Sequence, residues 1–364
     1  MGAAQVETES LSSPPEAAGG TSIGRVAAVG VVATWVVVAL FVVVTLAWSN
    51  HVGVPVRDPA GRLFRNKLTG AVLLFLVLAA ADVVVRTVRA GWSRAELRAQ
   101  FEARWDVRRL SVLLAGIVGY HVVYICYRNM KSWDAFNAPK DDLLLSADKK
   151  LFLGHSPAVL LHDLIGQGSG TAGFLARVYE SFPQVLSLSI VAAPAFVTLT
   201  RRGLVMPVAG MWAWILGTVS YYAIPSLGPC YSAAAEFAGL PHTVITDNQA
   251  YYMQQRTEFL ANPGNPSTFV SISAFASLHV GLTCMVMLLA AYYRKRVLTV
   301  VLAIYLVLVM VSTVYFGWHF VLDVVAGVVL AVLAVALGHL TVHPESLLRR
   351  RTGLQEPGGG ATRG

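Results

Sequence analysis

Charged residues are scarce in this chain. Only 13% of its 364 residues are Asp, Glu, Lys or Arg, whereas 55% are hydrophobic, and the apolar runs are longer than those of a soluble core. Cysteine is scarce too, because the three cysteines match neither a metal-site spacing nor a disulfide framework. These features exclude a soluble domain and a disulfide-stapled secreted fold, and we expect the three thiols to be buried.

Acidic clusters are also missing. No group of Asp or Glu residues is spaced to hold a metal ion, so we predict chemistry without a metal or another cofactor. The net charge is +8, but Arg and Lys stand in short clusters between apolar segments. We interpret these clusters as topology signals beside anionic lipid headgroups, not as a nucleic-acid-binding surface.

The apolar runs predict an all-α, polytopic membrane protein with about eight transmembrane helices, the last six forming a core bundle. Most of these runs approach or exceed the roughly 20 residues that a membrane-spanning helix needs. The expected spans are 26–48, 68–88, 110–127, 176–199, 204–224, 269–293, 297–316 and 319–342.

The chain divides into four parts. Residues 1–24 are rich in Ser, Pro, Gly and Ala and predict a disordered tail. Residues 25–109 hold two additional spans and a basic, interfacial amphipathic helix, residues 110–343 form the membrane core, and residues 344–364 form a basic, disordered tail. The polar stretch 128–173 predicts short interfacial helices.

Orientation follows from the basic clusters at 86–109, 201–202 and 294–296 and in the C-terminal tail, which occupy alternate connections. The positive-inside rule places them and both termini in the cytoplasm. The polar stretch 128–173 and a second one, between the spans 204–224 and 269–293, are then the outer, extracytoplasmic stretches. One conflict remains, because the first connection carries Arg57, Arg62, Arg65 and Lys67 yet falls on the outer side.

Two histidines stand where apolar segments begin. His319 and Asp323 are four residues apart, so on a helix the carboxylate can accept from one imidazole nitrogen and leave the other free. Ser277 and His279 open another apolar segment in a similar way. A lone buried histidine is more often a packing residue, but ionisable groups in membrane spans are costly and indicate function.

These residues resemble the type 2 phosphatidic acid phosphatase superfamily. Ser312, His319 and Asp323 keep the spacing of its third signature, and Ser277 with His279 matches its second signature at Ser and His. The forms Ser-Leu-His, Gly-Trp-His and Asp-Val-Val-Ala-Gly are more similar to the branch of inositol phosphorylceramide synthases, over roughly residues 120–342.

Three departures from the signatures leave the phosphate-binding cations unassigned. Thr313 replaces the arginine of the third signature, Ala276 and Leu278 replace Pro and Gly of the second, and the first signature has no good match. Arg256, Lys131 and Arg128 lie in or beside the outer stretches. We expect Arg256 and Lys131, together with Ser277, to bind the substrate phosphate.

The resemblance implies His319 as nucleophile, His279 as general acid and Asp323 as the group that orients His319. It predicts a phosphotransferase that acts on a membrane lipid phosphate or phospholipid headgroup through a phosphohistidine, with a polyol or sugar as acceptor, at the extracytoplasmic face of the cell membrane. The alternatives are a lipid phosphate or pyrophosphate phosphatase that uses water as acceptor and a non-catalytic lipid-binding or transport protein.

Overall fold

The computed structural model describes residues 18–346, with side chains from residue 28 onward. Residues 1–17 and 347–364, where most of both predicted tails fall, lie outside this part. The described part forms helices and no strand, which confirms the predicted all-α membrane fold. Its α-helices are α1 (Ala18–Val52), α2 (Arg65–Ala90), α3 (Arg94–Arg104), α4 (Val107–Trp133), α5 (Asp141–Leu151), α6 (Pro157–Ile165), α7 (Ser169–Glu180), α8 (Phe182–Phe196), α9 (Thr200–Ala223), α10 (Pro229–Ser232), α11 (Val244–Ala261), α12 (Leu278–Tyr292), α13 (Arg296–Tyr315) and α14 (Val321–Val342).

Within residues 18–346, six helices are long and apolar enough to cross a membrane, namely α1, α2, α4, α9, α13 and α14. They correspond to six of the eight expected spans. The expected spans 176–199 and 269–293 instead contain α8 and α12, of 15 residues each. A helix of that length extends about 22 Å, which is shorter than the roughly 30 Å hydrocarbon core of a bilayer.

Pro183 explains why the expected span 176–199 is two helices. α7 ends at Glu180 and α8 begins at Phe182, with the proline in its first turn. Proline lacks an N–H, and its ring clashes with the carbonyl four residues earlier, so a continuous helix through this position is disfavoured. The break leaves Tyr179 and Phe182 side by side at one end of α8.

The segment 269–277, expected to be helical, is irregular because other elements satisfy its backbone. The N–H of Val270 donates to Ser132 Oγ at 3.0 Å, and the N–H of Ala274 donates to the carbonyl of Ser226 at 2.9 Å. Buried backbone groups need such partners. With partners supplied by α4 and by the loop after α9, the segment crosses the end of the bundle without forming a helix.

The core lies around α9, which packs against α4, α8, α12 and α14. Next to it, α12 and α14 meet closely at Gly327, where a Cβ would lie only 2.5 Å from the carbonyl oxygen of Ser277. A side chain at this position would push the two helix starts apart. Cys126 and Cys284 are buried as predicted, and Cys230 is half-buried.

Arginines gather at one end of the bundle, which we call the basic end. Arg109, at the start of α4, donates to the carbonyl of Val197 at 2.7 Å, and Arg201, at the start of α9, pairs with Glu345 at 2.8 Å. These bonds connect α4, the α8–α9 turn and the end of α14. The basic residues are thus built into the fold at this end.

Asp82 of α2 is the buried anion of the basic end. Its carboxylate pairs with Arg86 at 3.0 Å, and Arg104 of α3 donates to the same carboxylate oxygen at 2.9 Å. Asp82 and Arg104 are both nearly inaccessible to solvent. This contact fixes the amphipathic helix α3 against α2.

Arg57 lies at the opposite end and accounts for part of the charge in the first connection. Its guanidinium donates to the carbonyls of Pro263 at 2.6 Å and Asn265 at 2.8 Å. Its backbone N–H donates to Asn129 Oδ1 at 2.8 Å. Arg57 therefore joins the first connection to α4 and to the loop after α11, which is a structural use of a cation on the side opposite to the basic end.

Replacing Asp82 by Ala should destabilise the protein on the order of 3 to 5 kcal/mol, because it leaves the Arg104 guanidinium buried without an anion. The apparent melting temperature in detergent measures this loss. Arg98→Ala is the matched control, since it breaks the exposed Arg98–Glu102 pair of α3 and should change stability by less than about 1 kcal/mol. Equal melting temperatures for the two variants would contradict this role.

Candidate active site

His319 lies in the link between α13 and α14, two residues before α14 begins, and not inside the helix as the expected span 319–342 implied. The link folds back on α13, because the N–H groups of Trp318 and His319 donate to the carbonyl of Thr313 at 3.0 and 3.3 Å. Gly317 has a φ of +67°, and a Cβ there would lie 2.5 Å from the ring of Phe237. The turn that presents His319 therefore requires glycine.

Asp323 holds His319 through the start of α14. One carboxylate oxygen, Oδ2, accepts from the backbone N–H of Phe320 at 3.0 Å and lies 3.4 Å from Nδ1 of His319. A side chain at the third helical position commonly accepts from the N–H of the capping residue. The expected pair is thus present, but it arises from helix capping and not from one face of a helix.

A second carboxylate, from α5, secures the same helix start. Asp148 accepts from the N–H groups of Val321 at 2.7 Å and Leu322 at 3.2 Å. The carboxylates of Asp148 and Asp323 thus satisfy N–H groups that a helix leaves without intrahelical partners, and negative charge is favourable there. Burial raises the pKa of Asp148, while the two backbone donors lower it. α5 belongs to the stretch 128–173, where short helices were predicted and are found.

His279 is the second residue of α12. Ser277 caps the helix, and its Oγ accepts from the N–H of Val280 at 3.4 Å. The His279 ring stacks on Tyr179, with centroids 4.3 Å apart, and contacts Phe182 at 4.5 Å. The hydroxyl of Tyr179 lies 3.4 Å from Nδ1 of His279. Two aromatic rings from the α7–α8 break therefore fix the imidazole.

The two imidazoles face each other across one cavity. Their ring centroids are 6.2 Å apart, and both rings line a cavity of about 670 Å³ at the end of the bundle opposite the basic end. Reacting atoms approach to roughly 3–3.5 Å before bond formation. The two rings are therefore close enough for one small group to lie against both.

Burial, followed by the ammonium of Lys131, lowers the pKa of the His319 imidazole to about 3, against a hydrogen bond with the backbone of Ala274 that raises it. This shift favours the neutral imidazole. A neutral imidazole keeps a lone pair for attack on phosphorus. Because Asp323 lies at Nδ1, Nε2 is the ring nitrogen that this carboxylate does not engage.

Of the three predicted phosphate-binding residues, Lys131 lines the cavity, and Arg256 and Ser277 do not. Lys131 lines the cavity, with its ammonium 5.0 Å from the ring centroid of Tyr221, and Arg128 lines it one turn away. Arg256 does not line the cavity and instead donates to a carbonyl of the turn after α4 at 3.2 Å. Ser277 is fully buried behind His279 as a helix cap.

No group of three or more His, Cys, Asp or Glu residues within 18–346 is arranged to hold a metal ion. A family model for the PAP2 superfamily matches residues 142–337, which is just over half of the 364 residues. The chain belongs to the PAP2 superfamily. This membership indicates lipid phosphatase or phosphotransferase activity and confirms the resemblance at the level of the superfamily. No curated protein and no solved structure matches the chain.

Sequence reasoning missed three residues at this PAP2 site. In the sequence, Asp148 is one residue of a polar stretch, and Tyr179 falls within an expected span. Lys67, which lines the cavity, is one of the basic residues of the first connection. Asp148 is an acidic residue within the stretch that resembles the family, and this is the signal by which the sequence could have indicated it. Nothing in the sequence indicates that Tyr179 stacks on His279.

Replacing Asp148 by Ala should lower turnover about tenfold, because two N–H groups at the start of α14 lose their acceptor and the link that carries His319 loosens. Steady-state kinetics on a lipid phosphate measures the effect. Asp142→Ala removes an exposed carboxylate from the same helix and should leave turnover unchanged. A decrease of the same size in both variants would rule out the specific role of Asp148.

Proposed function

We propose that this PAP2 superfamily protein is a membrane-embedded phosphotransferase. It moves a phosphoryl or phospho-headgroup unit from a lipid phosphate or phospholipid to an alcohol acceptor through a phosphohistidine at His319. The observation that carries the proposal is the pair of imidazoles 6.2 Å apart in one cavity. One of them is neutral and lies against a buried carboxylate.

In the first step, Nε2 of His319 forms a bond to phosphorus as the bond to the departing oxygen breaks in line. His279 enters the step as an imidazolium and donates its proton to that oxygen, and Asp323 stabilises the imidazolium that His319 becomes. In the second step, His279 takes the proton of the acceptor hydroxyl. The acceptor oxygen bonds to phosphorus, and the bond to His319 breaks, which restores the free enzyme.

Lys131 takes the place of the cation that the signature loses at Thr313. It lines the cavity and acts electrostatically on both histidines. Lys131 belongs to α4, whereas Thr313 belongs to α13. The Lys131 ammonium lies over the Tyr221 ring. A cation placed beside the developing negative charge of the transferred group stabilises the transition state.

An alcohol acceptor suits the polar wall near the histidines. Asn248, Tyr252, Ser271 and Ser273 line the cavity and offer amide and hydroxyl groups that pair with the hydroxyls of a polyol or sugar. The sequence similarity to inositol phosphorylceramide synthases supports the same acceptor class. Hydrolysis, with water as acceptor, is the rival that product analysis separates.

The site should face the extracytoplasmic side of the cell membrane. It lies at the end of the bundle opposite to the basic end, and the positive-inside rule places the basic end in the cytoplasm. Substrate then reaches the cavity from the outer leaflet.

His319→Ala should lower turnover at least about 10⁴-fold, because the nucleophile is lost. The purified protein is incubated with lipid phosphates and polyol acceptors, and products are separated by mass. A new phospho-conjugate supports transfer, and free phosphate alone supports hydrolysis. His155→Ala, at an exposed histidine outside the cavity, is the matched control. Unchanged turnover in His319→Ala would remove this residue from the mechanism.

Lys131→Met should lower kcat/KM on the order of 100-fold, because it keeps the apolar stem of the side chain and removes the charge that stabilises the transition state. The same kinetic assay measures it. Lys140→Met, which removes an exposed lysine outside the cavity, should have little effect. A Lys131→Met enzyme with wild-type kcat/KM would show that another group binds the phosphate.

A further inference from the structure

Two more cations line the cavity on the side away from the histidines. Arg128 is three residues before Lys131 on α4, which places it about 4.5 Å closer to the basic end. It donates to the hydroxyl of Tyr124 at 3.3 Å. Lys67 of α2 lies with its ammonium 5.5 Å from the ring centroid of the same tyrosine. Arg128 and Lys67 thus meet at Tyr124, on the inward side of Lys131 along α4.

This pair of cations lacks an internal anion. Among the ion pairs of residues 28–346, none involves Lys67 or Arg128. Arg128 donates to Ser271 Oγ at 2.9 Å, but its Nε is buried without a hydrogen-bond partner. Glu180 of α7 lines the same cavity but forms an ion pair with neither cation, and two positive groups without a paired carboxylate indicate an anionic ligand.

The position of Lys67 on its helix supports the same inference. It lies in the first turn of α2, where the helix dipole disfavours a cation, and no acidic residue accompanies it there. Snorkelling at the membrane surface is the ordinary explanation for such a lysine. Lys67 and its neighbour Arg62 are both exposed, but of the two only Lys67 contacts Tyr124 and lines the cavity.

Beyond Tyr124 the walls of the cavity become apolar. Ala71 and Leu74 follow Lys67 on one face of α2, and Leu186 and Ile190 of α8 lie on the same cavity. We call these four residues the apolar trough. The order from the outer end inward is therefore histidine pair, cation pair and apolar trough.

We propose that Lys67 and Arg128 form a second anion subsite, which binds the chain-side phosphate of a lipid diphosphate. The terminal phosphoryl group then lies between His279 and His319 beside Lys131, and the hydrocarbon chain lies in the trough. The inference rests on the proposed function for the role of the terminal phosphate. Both cations lie outside the matched residues 142–337, so the subsite is an addition made by the N-terminal helices of this chain.

Binding tests the subsite without turnover. The full chain carrying His319→Ala is titrated in detergent with inorganic phosphate and with inorganic pyrophosphate, and thermal shifts give the Kd values. We expect pyrophosphate to bind more tightly than phosphate. Lys67→Gln and Arg128→Gln should each raise the Kd for pyrophosphate about tenfold and the Kd for phosphate less than about twofold, because each removes a charged donor. Arg62→Gln is the matched control and should change neither.

A second set of titrations, with lipids, tests whether the bound diphosphate belongs to a lipid. A lipid diphosphate should bind more tightly than inorganic pyrophosphate and than the monophosphate of the same lipid, since it fills both the subsite and the trough. Leu74→Asp should weaken the lipid diphosphate and leave pyrophosphate unchanged. Tighter binding of pyrophosphate than of the lipid diphosphate would overturn the lipid assignment.

Failure of the subsite differs from failure of the transferase proposal. Equal Kd values for phosphate and pyrophosphate, or equal losses for both anions in Lys67→Gln, would overturn the subsite whatever the enzyme catalyses. Selective loss of pyrophosphate binding, together with a wild-type protein that turns over no lipid phosphate, would support the subsite and contradict the transferase.

Discussion

The site depends on how the first turn of α14 is capped. A helix begins with N–H groups that have no partner within it, and here Asp323 and Asp148 accept from three of them. The same Asp323 oxygen that accepts from Phe320 lies against His319. Helix capping and orientation of His319 are therefore one interaction, so a change that disturbs the cap also moves the imidazole.

His279 is positioned by different contacts, but its ring lines the same cavity as that of His319. His279 follows the cap of α12 and lies against two aromatic rings supplied by the break between α7 and α8. Gly327 lets the backbone of α14 approach Ser277. Two helix starts thus meet closely enough for their histidines to share a cavity, and neither histidine needs a metal ion to orient it.

The N-terminal helices complete the cavity that the family-matched residues begin. Residues 142–337 supply the histidines and both capping carboxylates, whereas α2 and α4 supply Lys67, Arg128 and Lys131. Loss of the signature arginine at Thr313 therefore leaves the cavity with cations that come from another part of the chain. Two of the four basic residues of the first connection, which conflict with a simple topology rule, have roles in the structure: Arg57 makes tertiary contacts and Lys67 lines the cavity.

The sequence alone determined the membrane class and six of the spans, because apolar length is a local property. It also singled out the two histidines and Asp323 as candidate site residues, because their spacing along the chain is local. For the expected span 269–293, the sequence placed the start at residue 269, whereas α12 begins at Leu278 with Ser277 as its cap, because the backbone of 269–277 finds its partners in other elements. Tertiary structure decided which cations face the histidines. Arg256 and Lys131 look alike in the sequence, but only Lys131 lines the cavity, because cation placement depends on how distant helices pack and not on any spacing along the chain.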